Sequence, residues 1–391
     1  MADYSSLFSM PSGPAYFDSA ASSLTAKSVL DAMAAYYSNV RANVHRGAHR
    51  YARQASEQYE AVYGKLARFF NASEQEFAAV RNTTEALNAV ALGLDWKSGD
   101  EVIVTDVEHH SNLLPWLRLK QKGVKVKVLE ADEQGRLQAD DLSELVSEKT
   151  RLFSFTACSN VLGASVPVVE LSKAARDAGA LVCVDAAQYV GHHAVDLTKW
   201  PVDFLAFSGH KCFGPTGIGA LFHRKGSGLQ PWFVGGGTVR DVTLSDYQLL
   251  EHRERFEAGT PAIAEWIGLG VALDFISKIG YPDIGAHDRA LAEKMLSVLQ
   301  DADGVQVFGP TTVAEKSCAL FSFAIQGVPH HQAAVMLDEL GFAVRSGHHC
   351  AIPLTRKLGV DGTVRASLHA YNDEKQVDKF ADALEKVALL G

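Results

Sequence analysis

The sequence is poor in cysteine: five residues in 391, widely spaced, odd in number and without a CxxC pair. That pattern excludes a disulfide framework and a cysteine-ligated zinc site, so no metal is expected and each thiol is weighed separately. No uninterrupted apolar run reaches the length of a membrane span, since even the greasy stretch 261–276 contains Glu265 and Asp274. The first 17 residues lack the basic start and apolar core of a secretory signal. Basic residues number 37 against 46 acidic ones and are scattered singly, so neither nucleic acid nor an anionic membrane is an expected partner. Glycine and proline are dispersed, and there is no repeat or low-complexity stretch. These absences predict a cytoplasmic protein that acts on a small molecule or meets another protein.

What is present is ample core material. With 47% hydrophobic residues, a chain of this length lies beyond the size at which one core usually splits, so two domains are expected. Continuous apolar runs at 101–107, 125–131, 151–156, 181–185, 204–208 and 218–223 alternate with helical segments. Such runs read as strands buried on both faces of a mostly parallel sheet, which makes the large domain α/β. Beyond Gly259 the pattern changes to helices at 265–278 and 286–299, a strand at 319–325 and a terminal helix at 373–390. The apolar face of that last helix reads as Val377, Phe380, Ala381, Leu384 and Val387. The expected division is a large domain over 16–260, and a smaller α+β domain formed by an N-terminal arm, 1–15, with 261–391.

Chemistry-bearing residues gather at the expected strand ends. The run 204–208 ends in Ser208-Gly209-His210-Lys211, placing an amine where ligands of α/β sheets bind. The run 181–185 closes on Asp185, and 101–107 runs into Glu108-His109-His110. Asn82-Thr83-Thr84-Glu85 begins a helix, whose free N–H groups and positive dipole end suit a phosphate. Singly, each feature has an ordinary reading as surface lysine, helix cap, capping box or structural histidine. Together they match pyridoxal 5′-phosphate (PLP): an amine for its aldehyde, a carboxylate for its pyridinium nitrogen, an imidazole for its flat face and a cradle for its phosphate. Cys350, between Arg345-Ser-Gly-His-His349 and Ala-Ile-Pro353, sits in a short polar loop whose cationic potential favours a thiolate nucleophile. The other four cysteines read as small buried hydrophobes, with Cys212 expected to point away from Lys211.

The segments FDSAA (17–21), NVHRGAH (43–49), NTTEALN (82–88), EHHSNLLPW (108–116), SNVLG (159–163), VDAAQ (184–188), SGHKCFGPTGIG (208–219), FEAGTP (256–261), RSGHHC (345–350) and RAS (365–367) form a specific set. On them the chain resembles the group II cysteine desulfurases and selenocysteine lyases, in the class V branch of fold-type I PLP enzymes. The resemblance implies a seven-stranded, mostly parallel sheet flanked by helices, with a smaller α+β C-terminal domain. It implies Lys211 as the Schiff-base lysine, Asp185 as the pyridinium partner, Gln188 as the ligand of the ring hydroxyl and His109 as the stacking acid/base. Thr84, Ser208 and His210 would hold the phosphate, with Thr260 lent by the other subunit of a homodimer. Asn160 and Arg365 would meet the substrate carboxylate, with Arg345 and His45 nearby. The chain departs from the family at Asn82 (usually Gly), Ala157 (often His) and Ala262 (commonly Asn).

The implied reaction removes sulfur from L-cysteine, leaving L-alanine and a Cys350 persulfide. A dedicated sulfur-acceptor protein (SufE-, SufU- or CsdE-like) would then collect it for iron–sulfur cluster or related sulfur assembly. The alternatives are a selenocysteine lyase acting on L-selenocysteine, a cysteine sulfinate desulfinase, or another class V PLP enzyme without persulfide chemistry. A scaffold that has lost catalysis is disfavoured by the intact Lys211, Asp185, His109, Arg365 and Cys350.

Overall fold

Valine, isoleucine and phenylalanine dominate the runs that become the central strands, and their side chains are buried on both faces as continuous apolar patterning requires. The computed structural model describes residues 4–10 and 12–391, so the remaining positions of the expected N-terminal arm lie outside the described residues. A short strand β1 (Ala15–Tyr16) precedes the large sheet, which is built from β2 (Phe77–Val80), β3 (Glu101–Thr105), β4 (Lys125–Leu129), β5 (Thr150–Thr156), β6 (Leu181–Asp185), β7 (Phe204–Ser208) and β8 (Gly219–His223). Its seven strands run in the order β2-β8-β7-β6-β5-β3-β4, with β8 antiparallel to both its neighbours and the rest parallel. The fold is α/β, as the alternation of strand and helix predicts.

Two details differ from the sequence reading. β2 is a short strand containing two alanines, too weak in apolar signal to stand out, yet it completes the sheet edge against β8. β4, expected to be buried on both faces, is the opposite edge: Lys125 and Val128 are exposed, and Lys127 pairs with the buried Glu101 of β3 at 2.7 Å. Charge on an edge strand discourages pairing with another chain.

A hairpin, β9 (Val239–Val242) with β10 (Tyr247–Leu249), follows the large sheet. The C-terminal part contains β11 (Val305–Phe308), β12 (Leu320–Ile325), β13 (Phe342–Ala343), β14 (Arg345–Gly347) and β15 (Thr363–Ser367). Four of these form an antiparallel sheet in the order β11-β12-β15-β14, while β13 pairs in parallel with β1. Helices 281–301, 330–339 and 374–388 supply an apolar core shared with this sheet and with Phe17. In the last helix Ala383, rather than Ala381, completes the buried stripe. No helix is long and apolar enough to cross a membrane among the described residues.

Candidate active site

β7 delivers Ser208 at its carboxyl end, and the chain then makes a single 3-10 turn, Gly209–Lys211, that turns the lysine back over the sheet. β6 ends beside it at Asp185, and the loop after β3 brings His109 to the same rim. The helix Thr83–Gly93 starts there too, capped by Asn82, whose Oδ1 accepts from the Glu85 amide at 3.0 Å. A cleft of about 220 Å³ opens on this rim, lined by Lys211, Asp185, His109, Thr84, Ser208, His210 and Gln188 on one side and by Asn160, Arg345, Cys350 and Arg365 on the other.

The charges of the cleft are set mainly by desolvation. Burial lowers Lys211 to about 8, with Asp185 opposing the shift and Arg365 and Arg345 adding to it, so part of the amine is free near neutral pH. Burial raises Asp185, and the Ala187 amide and Lys211 only partly offset it. That carboxylate has one hydrogen bond among the described residues, 2.9 Å from the Ala187 amide. A buried carboxylate so poorly compensated fits a cationic partner such as a protonated pyridine nitrogen. His109 is pushed down to about 3 by burial and by Lys211, and its Nδ1 accepts from the Ser111 amide at 3.0 Å, which leaves the proton on Nε2. His210 is lowered to about 4 by burial and Lys211, so it too is neutral.

The phosphate end is a hydroxyl cluster. Ser208 Oγ accepts from the Thr83 amide at 2.8 Å and lies 2.7 Å from Thr83 Oγ1, while Thr84 Oγ1 lies 2.7 Å from Ser111 Oγ. With the helix N-terminus behind them, these groups suit a phosphate. Gln188 lines the cleft and donates one amide hydrogen to the Ala20 carbonyl at 2.6 Å, leaving the second for a ring oxygen. The residues present therefore fit PLP: an amine, a buried carboxylate, a neutral imidazole and a helix-start cradle converge on one cleft.

Opposite them Arg365 is fully enclosed, donating from Nη1 to the Asn160 carbonyl at 2.8 Å and from Nη2 to Asp18 at 3.2 Å, with Nε unpartnered. A substrate carboxylate would meet that free donor. Asn160 commits Nδ2 to the His349 carbonyl at 2.7 Å and leaves Oδ1 orphaned, an atom suited to a hydroxyl or amine rather than to a carboxylate. Cys350 is the exposed thiol of the chain. Its turn is tight, for His349 and Cys350 both adopt left-handed φ values, 50° and 57°. His349 contributes no cation, because burial together with Arg365 and Arg345 pushes it down to about 2. The cation coupled to Cys350 across the cleft is Lys211, not that histidine.

Eleven of the residues singled out in the sequence line this one cleft. His45 and Thr260 do not: both are exposed and line a separate cleft with Gly236, Gly237 and Glu257. Sequence reasoning missed Asp18, which holds Arg365, although it lies in the FDSAA segment. It also missed Glu108, a buried carboxyl that burial pushes up to about 8 and that accepts from Thr105 Oγ1, Asn112 Nδ2 and the Thr156 amide at 2.5, 2.6 and 2.9 Å. Cys212 ends the 3-10 turn rather than continuing a strand, and its sulfur packs on the Gly209 carbonyl at 3.3 Å. Away from the cleft, His192, Asp288 and His369 form a buried group of ligating types. The two imidazoles are stacked 4.0 Å apart at 16°, so their in-plane lone pairs do not converge, and His192 Nδ1 bonds Asp288 at 2.6 Å as an ion pair.

The family described as "Aminotransferase class-V" matches residues 15–380, and the chain belongs to that family. Among its relatives is a probable cysteine desulfurase of Pyrococcus abyssi, 44% identical over 378 residues, which cover 95% of this chain and 94% of that one. The apo structure of a cysteine desulfurase from Thermococcus onnurineus superposes with a TM-score of 0.94 at 42% identity, covering 97% of this chain and 95% of the other. The cysteine desulfurase CsdA of Escherichia coli, in its S-sulfonic acid form, gives a TM-score of 0.92 at 34% identity, with 99% and 98% covered.

Proposed function

We propose that this protein is a PLP-dependent cysteine desulfurase. The observation that carries the reading is the meeting of Lys211, Asp185 and Cys350 on one cleft, on a chain whose full-length relatives bear that name. When bound, PLP supplies a sink for the electron pair left at the α-carbon of an amino acid. The rest is the work of side chains. Asp185 would hold its negative charge against the ring nitrogen, and neutral His109 would meet the ring's face with its Nε2 proton available. Lys211 would hold the cofactor through Nζ, and that amine, kept partly unprotonated by burial, would move the proton at the substrate α-carbon. Arg365 orients the substrate carboxylate. The Cys350 thiolate attacks the substrate sulfur, the carbon–sulfur bond breaks, and the products are a Cys350 persulfide and L-alanine.

The tight turn at 349–350 gives the persulfide little reach, which supports delivery to an acceptor protein that enters the cleft, for iron–sulfur or related sulfur assembly in the cytoplasm. The separate cleft bearing Thr260 supports a homodimer in which each subunit lends this threonine to the phosphate end of the other, with His45, beside it, lying near the substrate carboxylate. Apolar side chains exposed nearby, including Phe233, Val234, Val242, Leu244 and Tyr247, support the same pairing. The division into a large unit over 16–260 and a small unit of N-terminal arm plus 261–391 belongs to this proposal and is supported by the separate core around β12 and β15.

Replacing Cys350 by Ala tests the reading. The variant is expected to keep the cofactor's visible absorbance but to release no alanine from L-cysteine, while the wild-type Cys350 peptide gains the mass of one sulfur atom. Undiminished alanine release by Cys350→Ala would overturn it.

A further inference from the structure

Two of the cysteines that the reaction does not use touch each other. Cys158 Sγ and Cys318 Sγ lie 3.7 Å apart, and both residues are buried. They reach this contact from different sheets, Cys158 from just beyond β5 and Cys318 from just before β12. Their segments are laced together by bridges between Cys158 and Ser165 and between Ala164 and Lys316, and the Ser317 amide donates to the Gly163 carbonyl at 2.9 Å. The thiols are therefore held in contact by backbone, not by chance rotamers.

The pair also stands between two openings. Cys158 lines the cofactor cleft, whereas Cys318 lines a second cleft of about 880 Å³ with His193, Asp288 and Lys316. Lys316 is a buried ammonium bonded to the carbonyls of Leu162 and Leu320 at 3.1 and 3.2 Å, with no carboxylate partner among the described residues. Negative charge on either sulfur would favour the charged form of Lys316, whereas the Cys158 sulfur beside it and burial push the Cys318 thiol well up, which suits Cys318 to the second, resolving step.

We propose that Cys158 and Cys318 are a redox-active pair which a hydroperoxide converts to a disulfide across the wall of the cofactor cleft. The Cys158 thiol attacks the terminal peroxide oxygen, the O–O bond breaks, and Cys158 becomes a sulfenic acid while the departing alkoxide takes up the thiol's proton. Cys318 then attacks the Cys158 sulfur, the S–O bond breaks, and the hydroxyl leaves as water with the Cys318 proton. Two thiols lose two electrons, and the peroxide is reduced to an alcohol and water. The sulfurs need to approach by about 1.7 Å to reach disulfide length. That movement pulls on Asn160, two residues away, whose carbonyl and amide hold Arg365 and the turn of Cys350. Oxidation is thus expected to weaken the seat for the substrate carboxylate.

The test uses the Cys350→Ala holoprotein, which removes the exposed thiol that peroxide would otherwise also attack. After treatment with hydrogen peroxide, denaturation, alkylation without reduction and digestion, mass analysis should find the peptides of Cys158 and Cys318 joined, with Cys183 and Cys212 alkylated. Dithiothreitol should release the link, and a further Cys318→Ser change should prevent it. In the linked protein, L-alanine should perturb the cofactor absorbance only at severalfold higher concentration, reversibly. Peptides recovered with Cys158 and Cys318 separately alkylated, or separately oxidised to acids, would overturn the proposal. The mass readout needs no turnover, so its failure is distinct from failure of the desulfurase reading.

Discussion

The backbone amide of His110 donates to the carbonyl of Cys350 at 2.7 Å, and the His110 ring accepts from the amide of Ile352 at 3.1 Å. One residue of the large sheet's rim therefore holds the thiol-bearing loop of the small sheet on both sides of Ala351. Burial lowers the His110 imidazole, which keeps the ring neutral and able to accept. His110→Ala removes the ring bond and leaves the amide bond. A lost hydrogen bond of about 1 kcal/mol predicts roughly fivefold slower alanine release, with cofactor absorbance unchanged. Single-turnover kinetics of persulfide formation on Cys350 would check it.

Arg365→Lys is expected to be severe although charge is conserved. The guanidinium spans the Asn160 carbonyl and Asp18 at once and still keeps Nε unpartnered. An ammonium reaches one of these points, not all. KM for L-cysteine should rise about tenfold or more, in line with about 1.5–3 kcal/mol for a charged hydrogen bond. A change confined to kcat would contradict this placement.

Glu108 is predicted to matter for stability rather than turnover. It receives three donors below the sheet rim, and Asn112 passes the network on to Trp116 Nε1 at 3.1 Å and Ser154 Oγ at 2.5 Å. In Glu108→Gln an amide group takes the place of one acceptor and faces a donor. The unmet donor should cost about 1–3 kcal/mol, read by urea unfolding of the apoprotein.

His192 is expected to titrate unusually high. Asp288 raises it to about 9 despite the burial that opposes the charge. The folded-state value is raised above the unfolded one, so the stability it contributes is fully present below about 6.5 and is lost as pH rises through about 9. Proton-detected titration of ring resonances should show one imidazole with this midpoint, and Asp288→Asn should abolish it.

Much of the site was legible before any coordinates. The strand exits at Asp185 and Ser208 coincide with the ends of β6 and β7, because a continuous apolar run that stops abruptly at a polar residue leaves little freedom in where a buried strand ends. β2 was not legible, since its two alanines carry little apolar signal and its place depends on the distant β8. The role of Asp18 was hidden for a related reason: nothing local to FDSAA shows that its carboxylate meets an arginine 347 positions away. His349 misled, because sequence shows an imidazole beside a thiol but not the burial that strips its charge.

The pairing of β1 with β13, and the hydrogen bond from the Ser367 amide to the Phe17 carbonyl at 2.8 Å, place residues 15–17 against segments that are synthesised much later. During translation Asp18 must wait for Arg365, 347 positions further along the chain. A nascent chain arrested before Arg365 would hold Lys211 and Asp185 at the ends of completed strands and yet have no seat for an amino acid's carboxylate, so competence to bind substrate arrives only with the segment that carries Arg365.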